Sequence, residues 1–361
     1  MGSVDGRQDF LGLMTAAMQN EADERAFGGR IRNGKIKSQL LEAHPPEGST
    51  EGAAKLIKEK AERSGLTVKK VDEGLWALLG EDVFFVDALN PRFWLLHTTA
   101  PARALKTLVR TELVTDARLD SAWMPKDLLD QLEGVRHWMQ SSFESDTLLP
   151  SDGPGQGTRR WRVQVEGDAP EELLALASQV PRYAAAASLS AVGSILREPG
   201  IGEARVVGDY KGAFIATGAS FDLVAGVLWR TMDRYETYVK HLEALHQLRI
   251  GAVEEIGLEL DGDVAVIDFP VEVDNLEYFV GALFNAKEPF RLWAVPRKVA
   301  EDEWEANAVD LHVGQTLRLE ITPRWLRVLL DGRTCGNTLA RLVTNLQHRF
   351  HAQTELQPAT A

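Results

Sequence analysis

Gly29, then four residues, then Gly34 and Lys35 reproduce the spacing of a loop that cradles phosphate between backbone N–H groups and a lysine. That chemistry also needs a strand before the loop, a helix after it, and Ser or Thr beside the lysine for a divalent cation. Here an amphipathic stretch (Phe10, Leu13, Met14, Ala17, Met18) precedes the loop, and Ile36 stands where the hydroxyl belongs. The nucleotide reading fails on both counts. What remains is a basic hook, Arg30, Arg32, Lys35 and Lys37, suited to phosphates or an acidic protein surface. Arg159 and Arg160, in RRWRV, offer a second anion contact.

Cys335 and Arg341 are spaced as in a cysteine phosphatase loop, and Cys335 opens a helical pattern whose N-terminus would favour a thiolate. Yet Thr334 precedes the cysteine, and Leu339 and Ala340 already follow helical periodicity, aiming Arg341 away from a bound phosphate. His348 and His351 share a helix face and His312 is a third imidazole, too few ligands at that spacing for a metal site. Cys335 and His312 are the weak catalytic candidates. The carboxylates Asp261, Asp263, Asp268, Glu272, Asp274 and Glu277 lack the Glu-x-Lys of a two-metal nuclease, since Thr322 occupies the lysine position. His97, in the apolar run RFWLLHTT, is expected to be a hydrogen-bonded core or edge residue. No cofactor and no metal are expected.

The 361 residues are 44% hydrophobic and 26% charged, an ordinary globular balance, with net charge −13. The acidity is concentrated: residues 251–310 hold 15 Asp and Glu against four Lys and Arg, a field that repels nucleic acid and attracts basic partners. One cysteine excludes an internal disulfide and fits a reducing, cytoplasmic setting. The N-terminus shows no export signal and no apolar run is long enough for a bilayer, so no membrane role is expected.

The elements that must position these residues read as α+β, in two or three modules with mainly antiparallel sheets and helices on one face. Residues 1–49 carry a helix and the basic loop. Residues 50–149 open as α-β-β-β-β-α, with Ser49 or Thr50 as cap and 120–150 read as helix. Residues 150–158, PSDGPGQGT, rich in Pro, Gly and Ser and without a large apolar side chain, form the best linker. Residues 159–250 alternate strands and helices and end in a long helix capped by Ser220, about 35–40 Å long. Residues 251–361 begin with a hairpin turning at Asp261–Gly262, then repeat α-β-β-β-β-α; an internal duplication predicts like strand orders in the two segments.

In the long helix Phe221, Leu228, Met232, Tyr235, Val239 and Leu242 recur at heptad spacing, a seam for a sheet or for another chain, including a second copy. Nine tryptophans, many in or beside strands, suit cores or interfaces. The sequence therefore predicts a non-catalytic interaction or scaffold subunit of an intracellular assembly, with other protein subunits as partners. An accessory nucleic-acid-binding subunit using the basic loop is the alternative, and an unrecognised hydrolase the third reading.

Overall fold

The computed structural model describes residues 5–23, 29–144, 160–167, 169–179, 188–253 and 257–358. Two compact units emerge, one of residues 1–122, 128–138 and 191–236, the other of 123–127, 139–190 and 237–361. These cut across the sequential modules, and the linker at 150–158 lies outside the described residues. The α+β class and the mainly antiparallel pairing hold: a sheet of eleven strands, a sheet of nine, and one parallel pair in the second.

The first unit is built around β1 (Ile36–Ala43), α2 (Thr50–Arg63), the meander β2 (Thr67–Asp72), β3 (Leu75–Leu79), β4 (Val83–Asp87) and β5 (Phe93–Thr98), α3 (Ala102–Thr107) and β6 (Leu119–Ser121). α2 starts where it does because Ser49 Oγ accepts from Gly52 N at 3.0 Å. Strand order is β2-β3-β4-β5-β1, with β6 also on β1. Every residue of β4 and β5 is buried, so the alternation expected of a one-sided sheet is absent. One face packs Leu41, Phe84, Val86, Trp94 and Leu96 against Leu56 and Ile57 of α2 and Leu108 and Val109 after α3. The other face is covered by α1 (Arg7–Met18) and by the long helix α6 (Phe221–His246): Phe10 lies 4.9 Å from Phe85, and Tyr235 5.7 Å from Phe93. Helices thus lie on both faces of this sheet, not on one. β10 (Gly202–Asp209) and β11 (Ala213–Gly218) form a hairpin that joins the sheet through β1.

Residues 120–144 are not one helix, and 145–150 lie outside the described residues. A short α4 (Lys126–Asp130) follows Pro125, and β7 (Val135–Glu144) follows Gly134, whose φ of +106° ends any helical run. The paired Trp and Leu residues fit either period locally, and pairing of β7 with β9 (Ser188–Glu198) decides the outcome. β8 (Arg160–Glu166) and α5 (Pro170–Ser178) form as expected. α6 is 26 residues long, with Ser220 Oγ accepting from Asp222 N.

The second unit contains β12 (Gln247–Val253), β13 (Gly257–Asp261), β14 (Ala265–Asp268), α7 (Leu276–Leu283), β15 (Leu292–Trp293), β16 (Arg297–Ala300), β17 (Glu303–Asp310), β18 (Thr316–Ile321), β19 (Trp325–Asp331), α8 (Gly336–Arg349) and β20 (Glu355–Leu356). The hairpin expected at Asp261–Gly262 does not form: β13 pairs back with β12, while β14 pairs with β19 and β20. Gly262 has φ +94°, and a Cβ there would sit 2.3 Å from the Gln247 carbonyl oxygen, so the chain turns away from β13 instead of folding back on it.

One segment of each unit has the same connectivity. β1-α2-β2-β3-β4-β5-α3-β6 is matched by β14-α7-β15/β16-β17-β18-β19-α8-β20. Each meander is antiparallel, each first strand pairs antiparallel with the last strand of its meander, and each final strand pairs with that first strand. β15 and β16 pair successively with β17 and together fill the place of β2.

In the first unit His97 is enclosed by Phe10 and Phe221, its Nδ1 2.8 Å from Ser38 Oγ. Burial pushes its pKa down to about 4, with the Asp87 carboxylate opposing. The unfolded chain therefore binds a proton on His97 between about pH 6.5 and 4 that the folded chain does not, and stability falls as pH drops through that window. His97→Gln is expected to remove up to about 3 kcal/mol of the acid-induced loss, read as the difference between wild-type and variant urea midpoints at pH 7 and pH 4.5.

Candidate interaction surface

In the second unit the strands β17, β18 and β19 bury only one face. Ala306, Ala308, Leu317, Leu319, Leu326, Val328 and Leu330 point inward, and their neighbours Asn307, Arg318 and Arg327 are exposed. Registers place the outward residues in rows across the sheet: Arg297-Glu305-Glu320-Arg327, then Asn307-Arg318-Leu329, then Trp293-Val309-Thr316. The first two rows are tied by ion pairs. Glu305 takes Arg297 at 2.9 Å and Arg318 at 3.0 Å, Arg318 also meets Glu320 at 3.4 Å, and the Arg327 guanidinium lies 4.3 Å from the Trp325 ring. The Arg297 hydrogen bond, with Arg318 nearby, holds the Glu305 carboxyl below the usual carboxylate range. Beside β19, where β12 leaves after pairing only at Gln247 and Leu248, opens a shallow groove of about 850 Å³. Arg249, Ile250, Asn307, Arg318, Leu329 and Arg333 line it.

The corresponding face of the first unit is the one under α1 and α6. There the same strand positions carry Ala77, Phe85, Leu95 and His97, all buried. One topology thus presents an apolar, helix-covered face in one copy and a charged, solvent-facing one in the other.

The structure buries both weak catalytic candidates, Cys335 and His312, in the second unit. Cys335 is buried and caps α8, its sulfur accepting from Asn337 N at 3.3 Å. Arg341 is fully buried and turned to Asp310 and to the Phe290 carbonyl oxygen at 2.8 Å, so the phosphatase-like spacing serves packing. Asp310 also accepts from Thr338 Oγ1 and, at 2.9 Å, from the His312 backbone N–H. His348 meets Ser188 Oγ at 3.3 Å, whereas His351 Nδ1 accepts from Gln353 N at 3.2 Å. The carboxylates disperse: Asp261 accepts from Gly262 N, Asp268 from Gln357, and Glu272 pairs with Arg324 at 2.6 Å.

The basic hook is partly spent on its own unit. Arg32 pairs with Asp82 at 3.2 Å, and Lys37 Nζ donates to the carbonyl oxygens of Lys35 and Thr99. Burial, with Arg32 and Lys35 nearby, pushes the Lys37 pKa down. Arg30 and Lys35 are exposed. Lys35 is followed by β1 and not by a helix, which removes the phosphate-loop geometry. Arg159 and the side chain of Arg160 lie outside the described residues. Phe221, Leu228, Met232, Tyr235, Val239 and Leu242 are 0–9% exposed. The heptad-spaced side chains are buried within the chain itself, as with Phe221 against Phe10 and Tyr235 against Phe93, so they leave no free coiled-coil seam.

The residues that sequence reasoning missed are Asp310, whose partners are distant in sequence, and the exposed Val295 beside Trp293, a tryptophan the sequence places among those that fill cores or anchor interfaces. Their alternation in RLWAVPRKVA was readable, but Pro296 interrupts the strand pattern.

A doubled α+β connectivity with one face left open defines the class. The chain belongs to the MJECL33-like protein family, which it matches over residues 1–360. It is 25% identical over 337 residues, 80% of each chain, to the uncharacterised protein MJECL33 of Methanocaldococcus jannaschii. No solved structure matches. No helix of the described residues is long and apolar enough to cross a membrane.

Removing one partner of the buried Asp310–Arg341 pair leaves an uncompensated charge. Arg341→Ala is expected to cost about 3–5 kcal/mol in urea unfolding. Cys335→Ser should cost under about 1.5 kcal/mol, and a thiol reagent should label native Cys335 only at the rate of unfolding; fast native labelling would contradict its buried capping role.

Proposed function

We propose that this chain is a non-catalytic interaction protein that docks a partner protein on the open sheet face of its second unit. One observation carries the reading. The face covered by α1 and α6 in the first copy is, in the second copy, studded with Arg297, Arg318 and Arg327 and indented by a groove. A face kept soluble by paired charges can remain exposed in the free protein and still offer directional contacts to a partner. Two polar pairs fit the same reading, because Ser38–His97 and Asp310–Arg341 are both buried. A poised base would need a pKa near the working pH, and burial moves that of His97 the other way.

A photo-reactive amino acid at Asn307 should give discrete protein adducts in cells producing the chain. The same group at Glu62, 64% exposed on α2, should not. Arg318→Glu with Leu329→Asp should abolish the Asn307 adducts while moving stability by no more than about 1 kcal/mol. Adducts that survive this change, or arise equally from Glu62, would remove the docking role from this face.

A further inference from the structure

The basic side chains at the entry to β1 have no part in the docking face. Arg30 and Lys35 are exposed and make no ion pair among the described residues. Arg32 and Lys37 are half-buried, and Lys37 Nζ donates to the Lys35 and Thr99 carbonyl oxygens at 2.8 and 3.0 Å. Thr99 gathers the two, because its Oγ1 also accepts from the Arg32 backbone N–H at 2.9 Å. The loop between them is bound down as well. Gly34 N donates to the Ala17 carbonyl oxygen at 2.7 Å, and the Asn33 amide exchanges two hydrogen bonds of 3.2 Å with the backbone of Ala22. Like charges free to part would separate; here the backbone holds them side by side. The crowding is felt at Lys37, where burial first, then Arg32 and Lys35, push the pKa down. The opposing carboxylate, Asp82, acts more weakly and is already paired with Arg32 at 3.2 Å. We propose that Arg32, Lys35 and Lys37, with Arg30 beside them, bind a short oligophosphate such as pyrophosphate or tripolyphosphate.

Donors remain for such a ligand. Arg32 gives only Nε to Asp82, which leaves its terminal nitrogens for a phosphate, and Lys37 has one N–H beyond the two that its carbonyls take. Ile36 is fully buried, so the alternation of the chain puts Lys35 and Lys37 together on the other side. An acidic protein surface is disfavoured, because a half-buried ammonium is within reach of a single phosphate oxygen and not of a broad face. A nucleic-acid strand is disfavoured by the net charge of −13, which repels a long polyanion outside the site but spares a compact one. The site lies wholly in the first unit and stands or falls apart from the docking reading.

The probe is tripolyphosphate, titrated calorimetrically into the full chain at low salt. Saturable binding is expected, tighter than that of inorganic phosphate or sulfate. Lys35→Glu, a change at an exposed position, and Lys37→Gln should each weaken it about tenfold or more. Lys58→Gln, at a lysine 70% exposed on α2, should leave it unchanged. Two further readouts use folded protein with its charges intact. Bound tripolyphosphate should slow acetylation of Lys35 and Lys37 by acetic anhydride, and not that of Lys58. The anion favours the charged ammonium, so affinity should fall as pH rises through the lowered pKa of Lys37, and Lys37→Arg should move that fall to higher pH. Absence of binding, an affinity indifferent to Lys35→Glu, or an equal loss from Lys58→Gln would overturn the proposal. So would an acetylation pattern unchanged by the ligand, or single-stranded DNA binding more tightly than tripolyphosphate.

Discussion

A carboxylate with almost no access to water organises the second unit. Asp310 ends β17, and its two oxygens receive the Arg341 guanidinium, the Thr338 hydroxyl and the His312 backbone N–H. An ion in so dry a place is tolerated only when each lone pair is met. The consequence is positional: α8 is fixed in rotation against the strand end, and Arg341 in turn secures the Phe290 carbonyl just ahead of β15. The close approach of Gly336 to the Val239 carbonyl oxygen, where a Cβ would sit 2.5 Å away, fixes the same helix from another side. The sheet's inward face is therefore held by polar anchors as well as by apolar packing, and its outward face needs no helix to keep it in shape.

The first unit solves the same architecture differently. Its strands are apolar on both faces, and α1 and α6 supply the second layer through Phe10 and Phe221. Asp87 anchors these layers by taking Arg7 of α1 and Trp229 of α6, the latter at 3.0 Å. The two copies share connectivity and differ in what their second face meets, which is why one is a closed core and the other an available surface.

Much of this was legible in local pattern. The caps Ser49 and Ser220, the apolar stripe of α8 and the meander strands all follow from neighbours within a few residues. The like strand orders expected of a duplication are present too. What could not be read depends on distant partners. Nothing local in LELDGDVAVIDF says that β14 joins β19 and not β13. Heptad spacing at Phe221 and Tyr235 is a statement about a helix face, and only the arrival of Phe10 and Phe93 shows what covers it. The open face was half visible, since TLRLEIT and WLRVLL alternate cleanly, but alternation does not reveal whether a charged face is bare or engaged.

The repeated strand order carries a hazard during synthesis. While both halves are still unfolded, a strand of one could enter the vacant slot of the other, the exchange error familiar in tandem arrays. Divergence of the side chains supplies the discrimination. β4, apolar on both faces, would expose Phe85 to water in the slot of β18, and β18 would bury Arg318 without Glu305 in the slot of β4. Dissimilarity between the halves is thus itself a proofreading device for the chain's own assembly.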